Sequence, residues 1–209
     1  MKHLFILNGH QRYPFAKGDL NRSLMEKAIS IAEENGYRVR STITENEYEV
    51  EEELEKFLWA DVVLLQTPLN WMGVTWSFKK YLDEVLTAGM MGKLSAGDGR
   101  NSTAPKENYG LGGLLKGKYM ISVTANAPKE AFNNPDEKFF AGISEDELLL
   151  PMHLNFKWFG LSPLKSFFAY DVMKNPEVEK DFLRFEKHIK EELIEKIEEH
   201  DFTGQLRQA

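Results

Sequence analysis

Apolar and polar residues follow two different patterns along this chain, and the two patterns predict different secondary structure. Short, uniform apolar runs such as Leu4 to Leu7 and Val62 to Leu65 lack the alternation of a half-exposed strand. They therefore predict strands that are covered on both faces, as in a parallel sheet. Pro68 cannot donate a hydrogen bond to a sheet, so the strand that begins at Val62 should end there. In all, five strands are predicted, at residues 4–7, 37–43, 62–65, 118–124 and 164–170.

Between the predicted strands the apolar residues recur with a helical period. In the short segment 51–60, Leu54, Phe57 and Leu58 are expected to point inward. Residues 148–159 are apolar on nearly every side, which predicts a helix buried inside the domain or against a partner. The last helix, 178–199, is acidic and predicted to be exposed. The predicted helices cover residues 20–34, 51–60, 74–86, 148–159 and 178–199.

The segment from Thr87 to Gly117 shows no period and contains eight glycines. An irregular connection of this length is unusual inside a compact domain and is often functional. We expect it to form a lid-like loop near a ligand.

Strands that alternate with helices predict an α/β fold with a parallel sheet and helices on both faces. We predict one domain, residues 1–209, with the three-layer, flavodoxin-like strand order 2-1-3-4-5. In that order the first, third and fourth strands are neighbours, and ligands bind beyond their carboxyl ends. The three loops expected to meet at this rim are residues 8–19, 68–73 and 124–128.

Composition and charge exclude several classes of function. The 209 residues carry a formal net charge of -7, which argues against a nucleic-acid surface. The absence of cysteine rules out disulfides, thiolate metal sites and a cysteine nucleophile. It is also consistent with a cytoplasmic protein. No apolar run approaches the ~20 residues of a membrane span, so a soluble protein is expected. The histidines have no metal-ligand spacing, and no metal site is predicted; they are residues 3, 10, 153, 188 and 200.

The three predicted rim loops together offer the chemistry of a flavin site. The first loop precedes a helix, whose amide groups and dipole suit a phosphate, with Lys17, Asn21 and Ser23 as further donors. The second loop offers the flat side chain of Trp71, and the third offers Thr124 with several backbone amides.

Each of these features also has an ordinary structural explanation. A tryptophan after a strand is more often a packing residue than a ligand contact, and Lys17 on a loop is by default a solvated charge. The glycine patterns of dinucleotide-binding and P-loop proteins are absent, and no Ser/His/Asp arrangement is apparent.

Three longer motifs carry a resemblance to a known family: residues 68–81 (PLNWMGVTWSFKKY), 109–114 (YGLGGL) and 124–132 (TANAPKEAF). With them, the chain resembles the modulator of drug activity B group of NAD(P)H:quinone oxidoreductases, from Leu4 to about Ile197. The resemblance implies a cytoplasmic, FAD-dependent homodimer that takes hydride from NADPH or NADH. It would reduce quinones by two electrons in a ping-pong reaction.

The resemblance also implies site residues. The family's contacts to the flavin phosphate and adenosine correspond to Ala16, Lys17, Gly18, Asp19, Leu20, Asn21, Arg22 and Ser23. Its contacts to the isoalloxazine ring correspond to Leu69, Asn70, Trp71, Met72, Thr124, Ala125, Asn126 and Ala127, and its loop tyrosine to Tyr109.

This chain departs from the family pattern at two positions, where Asn70 replaces a tryptophan and Thr75 replaces a proline. The first change removes an aromatic side chain next to the ring and could alter the quinone pocket. In the related DT-diaphorases a tyrosine and a histidine near the ring assist hydride transfer. The residue aligned with that tyrosine here is Phe132, and no residue of this chain is assigned to that histidine. We therefore assign no catalytic side chain.

Two other functions fit the same pattern. A flavodoxin-like electron carrier or regulator would hold flavin without nicotinamide turnover, and an azo- or nitro-reductase would differ only in its acceptor. The apolar segment 148–159 and Trp76, on the polar side of its helix, favour a homodimeric enzyme.

Overall fold

The computed structural model describes residues 2–197, and its centre is a six-stranded, all-parallel sheet. The first three strands and β4 run in the order β2-β1-β3-β4, and β5 and β6 both pair with β4 at one edge. The predicted α/β, flavodoxin-like fold is confirmed. The strands are β1 (Lys2–Asn8), β2 (Tyr37–Ile43), β3 (Val62–Pro68), β4 (Lys118–Thr124), β5 (Ser162–Pro163) and β6 (Phe167–Ala169).

The fifth predicted strand, residues 164–170, is the main difference from the expected sheet. It is replaced by the two short strands β5 and β6. The chain between them holds one residue more than the facing part of β4, which makes a bulge. The amide of Lys165 donates to the carboxylate of Glu192 (3.2 Å), outside the sheet.

Helices cover both faces of the sheet. The helices α1 and α7 pack on the face that carries Leu4, Ile6 and Leu64. The opposite face carries Phe5, Leu7 and Leu65, and α2, α3 and α6 pack there. The helices are α1 (Asp19–Glu34), α2 (Val50–Trp59), α3 (Trp76–Tyr81), α4 (Thr87–Gly89), α5 (Glu145–Leu148), α6 (Leu150–Trp158) and α7 (Val178–Ile189). A π-helical segment (Leu82–Leu86) joins α3 to α4, a second (Lys190–Glu195) continues α7, and Lys129–Ala131 form a 3₁₀ turn.

Two predicted helices differ from the observed ones. The single helix expected at 148–159 is divided at Leu149, because Pro151 lacks an amide hydrogen and starts a new helix instead of continuing the old one. The terminal helix is amphipathic rather than simply exposed, since Phe185, Ile189 and Leu193 are fully buried. The last two residues of that prediction, 198 and 199, lie outside the described residues.

On α2 the prediction was wrong at one position. Leu58 is 54% exposed, whereas Glu53 is 1% exposed. The carboxylate of Glu53 can be buried because it accepts hydrogen bonds from Thr42 of β2 and from the hydroxyl of Tyr81 in α3 (2.7 Å).

The glycine-rich segment 87–117 is irregular beyond α4, but it is held by close backbone packing. Leu94 is fully buried, and Ser95 forms a β-bridge with Gly113. A Cβ atom on Gly112 would lie 2.1 Å from the carbonyl oxygen of Gly97. Glycine is therefore required there by a close approach of two backbones.

Within residues 2–197, no helix is long and apolar enough to cross a membrane.

Candidate functional site

The loops after β1, β3 and β4 converge on a cavity of about 250 Å³ at the carboxyl edge of the sheet. This position agrees with the general placement of ligands in open α/β sheets. Ten residues proposed from the sequence line it: Ala16, Lys17, Gly18, Asp19, Leu20, Asn21, Leu69, Asn70, Thr124 and Asn126. The other lining residues are His10, Gln11, Tyr13, Phe15, Pro68, Thr75, Val172 and Met173.

The N-terminus of α1 opens into this cavity. Its N-cap residue, Gly18, has a left-handed backbone (φ 86°) and provides no side chain to cap the helix. The amides of the first helical turn therefore lack the side-chain acceptor that an N-cap serine or aspartate would supply. Lys17, exposed at the same end, has no ion-pair partner among residues 2–197. Free amides, the helix dipole and a lysine make this end suitable for a phosphate.

The loop after β3 is a tight turn that presents Trp71 to solvent. Asn70 and Gly73 exchange two backbone hydrogen bonds (2.9 and 3.0 Å) across Trp71 and Met72. Both central residues have positive φ angles, 47° and 61°. Such angles are uncommon for bulky residues, and strained positions of this kind concentrate at functional sites. Trp71 is 92% exposed, so it is not a packing residue among residues 2–197. It and Met72 do not line the cavity, whereas the preceding residues of the loop, Leu69 and Asn70, do.

A buried hydrogen-bond network supports the floor of the cavity. The amide nitrogen of Asn21 donates to the hydroxyl of Thr124 (3.0 Å), and Gln66 donates to the carbonyl oxygen of Asn21 (2.9 Å). The network ties α1 to β3 and β4. Asn21 thus positions the helix through its side-chain amide, and one of the two hydrogens of that amide is used inside the network.

The remaining proposed residues lie beside or below the cavity. Ala125 is fully buried and its amide donates to Ala169 of β6, while the carbonyl of Ala127 accepts from Asp171. These bonds fix the loop after β4 to the edge of the sheet. On α1, Arg22 is exposed and Ser23 is half-buried; neither lines the cavity.

Tyr109 lies at a different cavity, of about 580 Å³, between α6 and the helical segment 76–90. Its ring meets Trp158 edge to face with 5.3 Å between centroids, and the guanidinium of Arg100 lies 5.4 Å from its centroid. The structure thus does not bring Tyr109 to the rim formed by the loops after β1, β3 and β4.

His10 is a cavity residue that sequence reasoning missed. It is 6% exposed, its backbone amide donates to the side chain of Asn8, and its ring packs against Gly18. Burial lowers the pKa of His10 below its usual 6.5; the nearby arginines lower it further, and Glu45 and Asp19 oppose the shift. Its position directly after the carboxyl end of β1 could have identified it, had it not been considered only as a metal ligand.

His153 and Phe132, the residue aligned with the tyrosine of the DT-diaphorases, lie away from the cavity. His153 is hydrogen-bonded through Nδ1 to the hydroxyl of Tyr119 (2.8 Å), and burial raises the pKa of that tyrosine to about 12. Phe132 is buried against Phe140, with 4.7 Å between ring centroids. Neither residue lines the cavity. Among residues 2–197 there is also no cluster of three or more side chains that could hold a metal ion.

Comparison with known proteins agrees with this architecture. A family model described as flavodoxin-like fold matches residues 1–193. The chain is 42% identical to the NADPH:quinone oxidoreductase MdaB of Haemophilus influenzae over 187 residues, which cover 89% of this chain and 96% of that protein. It is 40% identical to an uncharacterized protein of Schizosaccharomyces pombe over 187 residues, 89% of this chain and 94% of the other.

Solved structures share the fold at lower identity. The NAD(P)H:quinone oxidoreductase of Methanothermobacter marburgensis has a TM-score of 0.59 at 15% identity, covering 88% of this chain and 92% of that one. General stress protein 14 of Treponema denticola, in complex with FMN, has a TM-score of 0.60 at 21% identity, covering 88% and 95%. From the family model and the 42% identical relative, we conclude that the chain belongs to the flavodoxin-like fold family and, within it, to the group of the quinone oxidoreductase MdaB.

Proposed function

We propose that this protein is an FAD-dependent NAD(P)H:quinone oxidoreductase whose flavin binds at the rim formed by the loops after β1, β3 and β4. The observation that carries the proposal is the N-terminus of α1, which has no side-chain cap. It opens into the same cavity as the loop that contains Trp71 and the loop that contains Asn126. A Cβ atom on Gly18 would lie 2.4 Å from the ring of His10. Only glycine leaves this end of the cavity open, which fits a phosphate-bearing ligand.

The protein would contribute binding and orientation. The first-turn amides of α1, with Lys17, would hold the phosphate, and the loops 69–72 and 124–127 would position the ring. Backbone amides near the ring would stabilise negative charge on it. A bound flavin supplies the chemistry, accepting a hydride from NADPH or NADH and then reducing a quinone by two electrons in the same place. No side chain of this chain is proposed as an acid or base.

The decisive experiment measures NADPH and NADH oxidation by the purified protein with menadione as acceptor. The proposal expects turnover that depends on both the nicotinamide and the quinone, with parallel-line kinetics typical of a ping-pong reaction. A flavin-containing protein that never oxidises nicotinamide would instead be an electron carrier or regulator. Testing azo and nitro compounds at the same concentration would establish whether quinones are the preferred acceptors.

We expect FAD rather than FMN as the bound cofactor. The reason is the resemblance to the quinone oxidoreductases. The segment 87–117, whose length suggested a cover for the adenosine half, contributes no residue to the lining of the rim cavity and does not support this expectation. Cofactor released by heat and separated by chromatography measures this directly. Recovery of FMN alone would contradict the expectation and bring the protein closer to general stress protein 14, whose structure holds FMN.

We also expect a homodimer in solution. Leu150 and Leu154 on α6 are each 52% exposed, and Trp76 is 61% exposed, so the rest of the described chain does not cover these apolar side chains. A second copy would cover them across a two-fold interface. Sedimentation velocity at micromolar concentration should give twice the 24.1 kDa of one chain, with activity lost on dilution to the monomer. A fully active monomer would show that the interface is not needed.

Trp71→Ala should weaken flavin binding and leave the fold intact. The side chain is almost fully exposed, so the free energy of unfolding should change by less than about 0.5 kcal/mol. Loss of an aromatic contact should cost on the order of 1 kcal/mol of binding, or roughly a fivefold rise in Kd. Flavin fluorescence titration measures this, with Phe139→Ala as a control at another exposed aromatic residue. Equal Kd values for wild type and Trp71→Ala would remove Trp71 from the site.

A further inference from the structure

The ring of His10 is buried at the cavity without a hydrogen-bond partner. Its side chain lines the cavity beside the N-terminus of α1, and the residue is only 6% exposed. Within residues 2–197, Nδ1 is buried and unpaired. A buried polar atom without a partner costs free energy, and such atoms in native proteins call for a physical explanation. A ligand group that bonds to the ring would supply one.

The charges around His10 favour an anionic ligand. Arg12 and Glu45 form an ion pair (2.6 Å) near the ring and offset each other. Arg22 acts on the ring and Lys17 lines the same cavity, against one remaining carboxylate, that of Asp19 at the start of α1. The uncapped helix end adds a partial positive charge at the same place. A protonated histidine would be costly in this surrounding, unless an anion entered with it.

We propose that His10 takes up one proton from solvent when the phosphate of the flavin nucleotide binds at the N-terminus of α1, so that flavin binding is coupled to pH. The inference rests on the proposed function, because it takes the flavin phosphate as the anion. In the free protein, burial lowers the pKa of the imidazole and so favours its neutral form. In the complex, a phosphate oxygen beside the ring stabilises the imidazolium, and the pKa of the ring rises on binding.

The sign of the pH dependence follows from this change. A group whose pKa is higher in the complex strengthens binding as the pH falls through the pKa of the complex. The effect levels off below the pKa of the free protein, where His10 is protonated in both states. We therefore expect Kd for FAD to rise as the pH is raised through the pKa of the complex, by about tenfold for each unit by which binding raises the pKa of His10.

Isothermal titration calorimetry of the flavin-free, full-length chain with FAD counts the protons. FAD is the suitable probe because its pyrophosphate has no ionisation near neutral pH, whereas a phosphate monoester has a pKa of about 6. Titrations at pH 7 in buffers of different ionisation enthalpy should give a net uptake of about half a proton or more per FAD. Binding of FAD without proton uptake at pH 7, or the same uptake with riboflavin, which has no phosphate, would overturn the inference.

Two histidine variants assign the proton to a residue. His10→Gln keeps a hydrogen-bond donor without the titratable ring, and it should bind FAD with no proton uptake and a flat pH profile. His3→Gln is the matched control, since His3 lies at the amino end of β1, beside Asp61, and should keep the wild-type uptake. Uptake that persists in His10→Gln would contradict the assignment. A chain that binds no flavin at all would instead contradict the proposed function, so the two failures are distinguishable.

Discussion

Gly18→Ala should remove most of the bound flavin while the protein stays folded. The substitution has two costs, a strained backbone at position 18 and a steric clash of the new Cβ atom with His10. Alanine in the left-handed conformation at φ 86° costs about 1–2 kcal/mol. The new Cβ would also lie 2.4 Å from Cδ2 and 2.7 Å from Nε2 of the buried His10, so the ring or the start of α1 must move. Displacing the helix end changes the proposed phosphate contacts themselves, and a loss of about 3 kcal/mol would raise Kd more than a hundredfold.

Gly36→Ala is the matched control for this experiment. Gly36 lies just beyond the other end of α1 and has a similar backbone angle, φ 79°, but a Cβ there would meet nothing within 4 Å. It should lower stability by a similar backbone cost and leave the Kd for flavin unchanged. If Gly18→Ala binds flavin as tightly as Gly36→Ala, the N-terminus of α1 is not the phosphate site. Thermal denaturation of both variants separates loss of binding from loss of fold.

The sequence was most informative where one residue pattern has one structural outcome. The uniform apolar run from Val62 could be covered only in a buried parallel strand, and all of residues 62–67 are buried. The alternation of strands and helices then predicts a parallel sheet, and the flavodoxin-like strand order brings the three rim loops together without any knowledge of side chains. This is why the loops that contain Leu69 and Thr124, which are distant along the sequence, could be placed at one cavity.

Local geometry at the rim could not be predicted in the same way. The turn at Trp71 and Met72 requires two positive φ angles, which are normally associated with glycine or asparagine. The identities of Trp71 and Met72 do not predict positive φ angles, because the ends of β3 and α3 determine the conformation of the turn. The exposure of Trp71 depends on that turn. From the sequence alone, packing was therefore the more common explanation for a tryptophan at this position, and ligand binding the alternative.

Buried polar residues were the other feature that could not be predicted from the sequence. Helical periodicity predicts that charged residues lie on the exposed face of a helix, and on that basis Glu53 was expected to be exposed to solvent. Its burial depends on Thr42 and Tyr81, which are distant along the sequence. Likewise, the network that engages Asn21 requires Gln66 and Thr124 to arrive from two other elements. Such partners are fixed by the tertiary structure, and no local pattern contains them.

Glu53→Ala should cause the largest loss of stability. The carboxylate accepts from Thr42 (2.9 and 3.0 Å) and Tyr81 (2.7 Å) and pairs with Lys56, and so joins β2, α2 and α3. Burial and this carboxylate raise the pKa of Tyr81 well above its usual value. Removing one partner of a buried pair leaves the others unsatisfied, at a cost of about 3–5 kcal/mol. The lower end applies because the side chain of Lys56 is 20% exposed and can reach water.

A loss of about 3 kcal/mol should lower Tm by roughly 6–12 °C in a chain of this size. Glu55→Ala, on the exposed face of the same helix, is the control and should stay within about 0.5 kcal/mol of wild type. Glu53→Gln keeps an acceptor for Tyr81 without the charge and should fall between the two. Equal unfolding midpoints for Glu53→Ala and Glu55→Ala in urea would mean that Tyr81 and Lys56 find other partners. The orientation of α3, and with it the turn that presents Trp71, would then depend on apolar packing alone.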